Sequence, residues 1–171
     1  AIAWKREDIA SPSFTGRKLL AVYPLREIAE YIDWTFFFHA WELRGKFPAI
    51  LEHPERGAAA RALFEDAKVA LAKIIEAGSL TANAVYGFWP AQADGDDIVL
   101  YADESRREER ARFHMLRRQE QHGDGPCWSL ADFVAPRDSG LADYVGAFAV
   151  TTGIGADALA KQYEAANDDY A

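Results

Sequence analysis

The sequence predicts an α/β protein of the α+β type: a twisted, mainly antiparallel sheet with flanking helices. Residues 55–77 repeat apolar side chains at helical spacing, with Leu63, Ala67, Leu71 and Ile74 on one face. Residues 84–101 read as two strand-forming runs around an Asp-Gly turn. Helical and strand patterns also follow one another unevenly, unlike the regular alternation that builds a doubly wound parallel sheet. At 171 residues, 50% of them hydrophobic and 13% aromatic, the chain has the length of one domain and ample material for a core.

Residues 1–23 mix turn formers (Ser11, Pro12, Ser13, Gly16) with scattered anchors (Trp4, Phe14, Leu19, Leu20), and so read as an extended N-terminal arm with no regular element. The domain proper occupies 24–171. Pro24 suits a first helical turn, and Leu25, Ile28, Ala29 and Ile32 predict a short helix over 25–32 that stops near Asp33. Residues 34–48 crowd Trp34, Phe36, Phe37, Phe38, Trp41 and Phe47 among charged groups, the most unusual local composition in the chain. The helix at 55–77 should end at Gly78. Strands follow at 84–89 and 98–101, joined by a longish loop that contains Asp94-Gly95-Asp96-Asp97. The charged segment 106–121 fits helix and strand equally. Residues 128–134 form a short apolar piece closed by Pro136, and 144–151 is the best strand, bounded by Gly140 and Gly153. Leu159, Tyr163, Ala166 and Tyr170 mark a last helix from Ala156 or Asp157, and its pattern is still running at Ala171.

Composition excludes several functions. A net charge of −8, from 19 Lys and Arg against 27 Asp and Glu, is wrong for a protein that neutralises phosphates, so no nucleic acid is expected as a partner. The single cysteine, Cys127, can form neither an internal disulfide nor a cysteine-rich zinc site. No apolar run reaches the length of a membrane helix and no signal-peptide core is visible, so the expected compartment is the cytoplasm, with no membrane partner.

Candidate chemistry is sparse. Asp94, Asp96 and Asp97 place three carboxylates within four residues, but no Glu follows at a calcium-loop offset, and a solvated turn is the better reading. His39, His53, His114 and His122 show no zinc spacing, so no metal site is assigned. A Cys127 and His114 pair has no local support, and Cys127 beside Trp128 reads as a small apolar core residue. The basic run from Arg106 to Arg118 is interleaved with Glu104, Glu108, Glu109 and Glu120, which reads as a balanced, solvated face. Gly153-Ile154-Gly155-Ala156-Asp157 lacks the third glycine and the lysine of a phosphate loop and reads as a strand-to-helix turn. Asp33 differs. A carboxylate immediately before Trp34 and three phenylalanines is costly to desolvate unless a cation or donor meets it. Whether it meets a ligand or caps a neighbouring amide is open at this level.

Read as whole strings, Tyr31-Ile32-Asp33-Trp34-Thr35, Trp41-Glu42-Leu43-Arg44-Gly45-Lys46-Phe47-Pro48, Gly87-Phe88-Trp89-Pro90-Ala91, Gly95-Asp96-Asp97-Ile98, Leu130-Ala131-Asp132-Phe133-Val134-Ala135-Pro136 and Asp143-Tyr144-Val145-Gly146-Ala147-Phe148-Ala149-Val150-Thr151 occur in this order. They resemble the activation domain of cobalamin-dependent methionine synthase, its S-adenosylmethionine-binding region, from about Leu25 to Tyr170. The resemblance implies a part in reductive reactivation during methionine biosynthesis. In that family the domain presents S-adenosylmethionine so that reduced cobalamin, held by another domain of the same methyltransferase, is remethylated once flavodoxin or a reductase supplies an electron.

The resemblance also implies one cofactor-binding residue, Asp33, which matches the family's ligand-contacting aspartate; no residue is assigned as catalytic or metal-binding. Phe36 stands where the family string usually has proline, and Gly155 and Ala156 stand where acidic residues are common. An Arg-Pro-Ala-Pro-Gly-Tyr-like string of the family lies beyond the segment matched by Asp168, Asp169 and Tyr170. The resemblance is therefore to a partial activation domain, expected to fold but to bind S-adenosylmethionine poorly alone and to be inactive by itself. Two other readings compete. One is a non-catalytic interaction module that docks onto a corrinoid-binding or flavodoxin-like partner, and the other is a metal-dependent hydrolase built on Asp94, Asp96, Asp97 and His114.

Overall fold

A computed structural model of the chain describes residues 2–120, 123–151 and 153–166. Its described elements are strands β1 (Gly16–Tyr23), β2 (Ala82–Asp94), β3 (Asp97–Tyr101), β4 (Glu109–His114) and β5 (Asp143–Val150), and helices α1 (Leu25–Ala29), α2 (Trp34–Ala40), α3 (Gly57–Ala77) and α4 (Ala156–Ala165). The strands form one five-stranded sheet in the order β1-β2-β3-β4, with β5 also paired to β2. The pairs β2–β3 and β3–β4 are antiparallel, so the α+β class read from the sequence holds.

The chain forms two compact units, one of the stretch up to Leu19 with Val85–Ala149, the other of Leu20–Ala84 with the stretch from Val150. In the first, Ala91, Ala93, Ile98, Leu100, Ala131 and Val134 make the core, with Trp89, Ala111, Met115 and Val145 packed against it. Small alanines on β2 let the branched side chains of β3 seat closely above the turn at Leu130–Phe133. That turn is capped reciprocally by Ser129 and Asp132, which accept each other's backbone amides.

In the second unit the core is aromatic. Phe38, Ile50, Ala60 and Leu63 are buried, and Trp34, Phe37, Leu43, Phe47, Leu51 and Phe64 surround them. Five of these rings meet edge-on or tilted, with Trp34 4.9 Å from Phe64 and Phe47 5.2 Å from Phe64. Gly57 lets α3 start against the preceding turn, because a Cβ there would lie 2.6 Å from the Leu51 carbonyl oxygen. Gly78 closes α3 in the left-handed conformation, φ 61°, as its position after the last apolar turn predicts.

Several elements depart from the sequence reading. Residues 16–23 form a strand, β1, in place of the expected irregular arm; Arg17, Lys18 and Leu19 are exposed, so the strand carries no alternating apolar pattern to read. Helix α1 ends at Ala29 rather than near Asp33, and the crowded segment after it forms a second short helix, α2, whose rings obscure its period. Strand β2 runs through Pro90 to Asp94. The proline sits one residue before the stretch that pairs with β3, and its missing N–H takes nothing from that ladder. The hairpin loop is short, since Asp94 pairs directly with Asp97 and only Gly95 and Asp96 turn the chain. The ambiguous charged segment is strand β4 over Glu109–His114. Tyr170, Asp168 and Asp169, read as the continuation of the last helix, lie outside the described residues.

Candidate functional site

Asp33 is the N-cap of α2. Its backbone is extended, φ −80° and ψ 92°, and its Oδ1 accepts the backbone N–H of Thr35 at 2.9 Å. The side chain is exposed. Of the rings that follow Asp33, Trp34, Phe37 and Phe38 pack in the aromatic core, whereas Phe36 stays exposed and the Asp33 carboxylate itself is in water. Its second oxygen, Oδ2, has no partner among the described residues. Two exposed aromatic residues are close to it in the chain, Tyr31, 86% accessible, and Phe36, 73% accessible. A carboxylate with one oxygen fixed and one open suits a cationic ligand, since its charge attracts an ammonium or a sulfonium.

Thr35 does two things in this arrangement. Its N–H holds Asp33 Oδ1, and its Oγ1 accepts the N–H of Phe47 at 3.2 Å. Below α2, a groove of about 640 Å³ is walled by Ile32, Trp34, Phe37, Trp41, Leu71 and Tyr163, among others. The sequence singled out Asp33 but missed Thr35. The available signal was an Asp two residues before a Thr at the start of an apolar run, the pattern of a helix N-terminus.

The other sequence candidates resolve into structure. Arg112 donates to Asp94 at 3.0 Å, Asp97 at 3.1 Å and Glu109 at 2.8 Å, and Arg137 also reaches Asp94. Arg117 binds Asp96 and Asp132 and donates to the Cys127 carbonyl. These contacts hold the carboxyls of Asp94 and Asp132 below the usual carboxylate range, through arginine hydrogen bonds first in each case. For Asp97 the largest cause is its hydrogen bond to His114 Nδ1, at 2.9 Å, followed by Arg112. The interleaved glutamates take part as read, Glu109 holding Arg112 through both oxygens and Glu104 lying 3.8 Å from Arg106, and the hairpin aspartates with Asp132 supply the remaining partners of Arg112 and Arg117.

No group of three or more His, Cys, Asp or Glu side chains among the described residues could hold a metal ion, which leaves the hydrolase reading without a centre. His53 Nδ1 accepts the amides of Glu55 and Arg56, so the imidazole is spent on the turn before α3. His122 lies outside the described residues. Cys127 is a half-buried free thiol. Gly155, at φ 104°, opens α4 without a side-chain cap, an ordinary turn as predicted. No helix among the described residues is long and apolar enough to cross a membrane.

Comparison with known proteins places this geometry. A solved structure described as the MetH reactivation domain bound to AdoHcy is 42% identical and superposes with a TM-score of 0.87 over 99% of this chain. The match covers 52% of that chain, so the present sequence spans about half its length. Residues 24–171 match the family described as vitamin B12 dependent methionine synthase, activation domain, and the chain belongs to that family.

Proposed function

We propose that this chain binds S-adenosylmethionine as part of the reactivation module of cobalamin-dependent methionine synthase, a methyltransferase, and that Asp33 receives the ligand. The observation that carries this reading is the half-occupied Asp33 carboxylate, in a fold matched at 42% identity by a reactivation domain that binds AdoHcy. When bound, S-adenosylmethionine supplies an electrophilic methyl group on a cationic sulfur. The chain's own part is to bind and orient. Asp33 Oδ2 takes the ammonium of the ligand's amino acid end through a charge-assisted hydrogen bond. The corrinoid belongs to another domain of the same enzyme, and flavodoxin or a reductase supplies the electron from a separate chain.

The alternative, an interaction module without a ligand of its own, draws on the exposed apolar side chains of the first unit, including Leu116, Leu130 and Phe133. Calorimetric titration separates the two. S-adenosylmethionine is titrated into this chain and, in parallel, into the chain lengthened by the remainder of the matched reactivation domain. Binding to either, weakened by Asp33→Asn, supports the ligand reading. No heat with either protein, together with measurable binding to an isolated corrinoid-binding domain, supports the interaction module.

A further inference from the structure

We propose that Thr35 is a positioning residue for the Asp33 carboxylate, acting through a two-step hydrogen-bond relay that begins in the aromatic core. The inference rests on the reading of Asp33 as the ligand's partner. It adds how that carboxylate is aimed.

The relay starts at Phe47. Its ring lies near those of Phe38, 6.3 Å away and nearly parallel, and Phe64, 5.2 Å away, so its backbone is anchored by packing. The Phe47 N–H donates to Thr35 Oγ1, which fixes the side chain and the first turn of α2 against that anchor. The Thr35 N–H donates in turn to Asp33 Oδ1. A helix of seven residues has little cooperative strength of its own, so the placement of its first turn depends on contacts such as these. With Oδ1 held, the carboxylate rotor is fixed and Oδ2 is the oxygen open to a cation. Such pre-organisation spares the ligand the cost of ordering its partner.

Valine is nearly isosteric with threonine but cannot accept a hydrogen bond, so Thr35→Val leaves the half-buried Phe47 N–H unpaired. Thr35→Ser keeps the acceptor. The first arm of the test needs no ligand. In a pH titration followed by amide NMR, the residue-35 resonance shifts as Asp33 protonates, because the two share a hydrogen bond. The shift keeps its amplitude in Thr35→Ser and loses at least half of it in Thr35→Val. In the second arm, S-adenosylmethionine affinity falls about threefold or more in Thr35→Val and stays within about twofold in Thr35→Ser.

If the residue-35 amide of the Thr35→Val protein titrates with the wild-type amplitude, the relay is overturned. An unchanged affinity in Thr35→Val, where Asp33→Asn weakens binding, overturns it as well. If Asp33→Asn leaves affinity unchanged, the ligand reading fails on its own, and the NMR arm still decides for or against the relay. Should Thr35→Val not fold, Thr35→Ala removes the same hydroxyl and carries both comparisons.

Discussion

The Asp94-to-Asp97 turn and the Asp33 cap both present carboxylates on the surface, yet they are chemically opposite. At the turn, Asp94, Asp96 and Asp97 are each met by at least one arginine, with His114 on Asp97 as well. Their charge is spent on holding the β2–β3 hairpin to β4 and to the Leu130–Phe133 turn. Asp33 has a single backbone donor on one oxygen and nothing on the other among the described residues. Of these two, the richer acidic cluster is architecture, whereas Asp33 keeps a carboxylate oxygen that no described residue engages. Counting acidic residues cannot separate the two, whereas counting their partners does.

The ground beneath Asp33 breaks most easily. Phe38 is fully buried and touches the rings that seat α2, so Phe38→Ala should cost about 3–5 kcal/mol, read from the urea midpoint. A loss under about 1 kcal/mol would mean that α2 is not held by this core. Gly57→Ala follows, at about 1–3 kcal/mol, because the added methyl meets backbone at the Leu51 carbonyl and neither α3 nor the turn can give cheaply. Stability close to wild type would show that the α3 entry is looser than the contact implies.

At the turn the expected effect is smaller and depends on acid. Arg117 and the Ser129 amide hold the Asp132 carboxyl below its unfolded value, so the folded form binds its proton less readily. That stabilisation is fully present above about pH 4 and is lost as pH falls through the lower folded value. Urea midpoints taken from about pH 6 downward should decline below about pH 4 in the wild type. The decline should be shallower in Asp132→Asn. Parallel curves would remove Asp132 from the acid sensitivity.

Much of this was legible in the chain itself. The α3 helix with its Gly78 stop, the β2–β3 hairpin, β5 and the start of α4 follow from periodicity and turn residues, and Asp33 stood out by its neighbours. What stayed hidden depends on pairing in space. β1 has no alternating pattern and is a strand only because β2 lies beside it. α2 is masked because its rings face several partners at once. Whether Asp33 caps an amide or meets a ligand was open in the sequence, and only the structure shows it capping α2 from an exposed position while Phe38 of the same helix is buried. Apart from Glu109, three positions from Arg112, the carboxylate partners of Arg112 and Arg117 lie 15 to 21 positions away, beyond any local charge pattern.

The contrast between a spent and an open carboxylate is tested most directly by titrating S-adenosylmethionine into three proteins side by side, each lengthened by the remainder of the matched domain: wild type, Asp33→Asn and Asp96→Asn. Asn caps a helix as well as Asp does, so Asp33→Asn should keep its thermal midpoint. Its affinity should fall about tenfold or more, near ~1.4 kcal/mol. Asp96→Asn, which removes a carboxylate already committed to Arg117, should bind as the wild type does. Equal affinity for wild type and Asp33→Asn, or a larger loss in Asp96→Asn, would contradict the assignment.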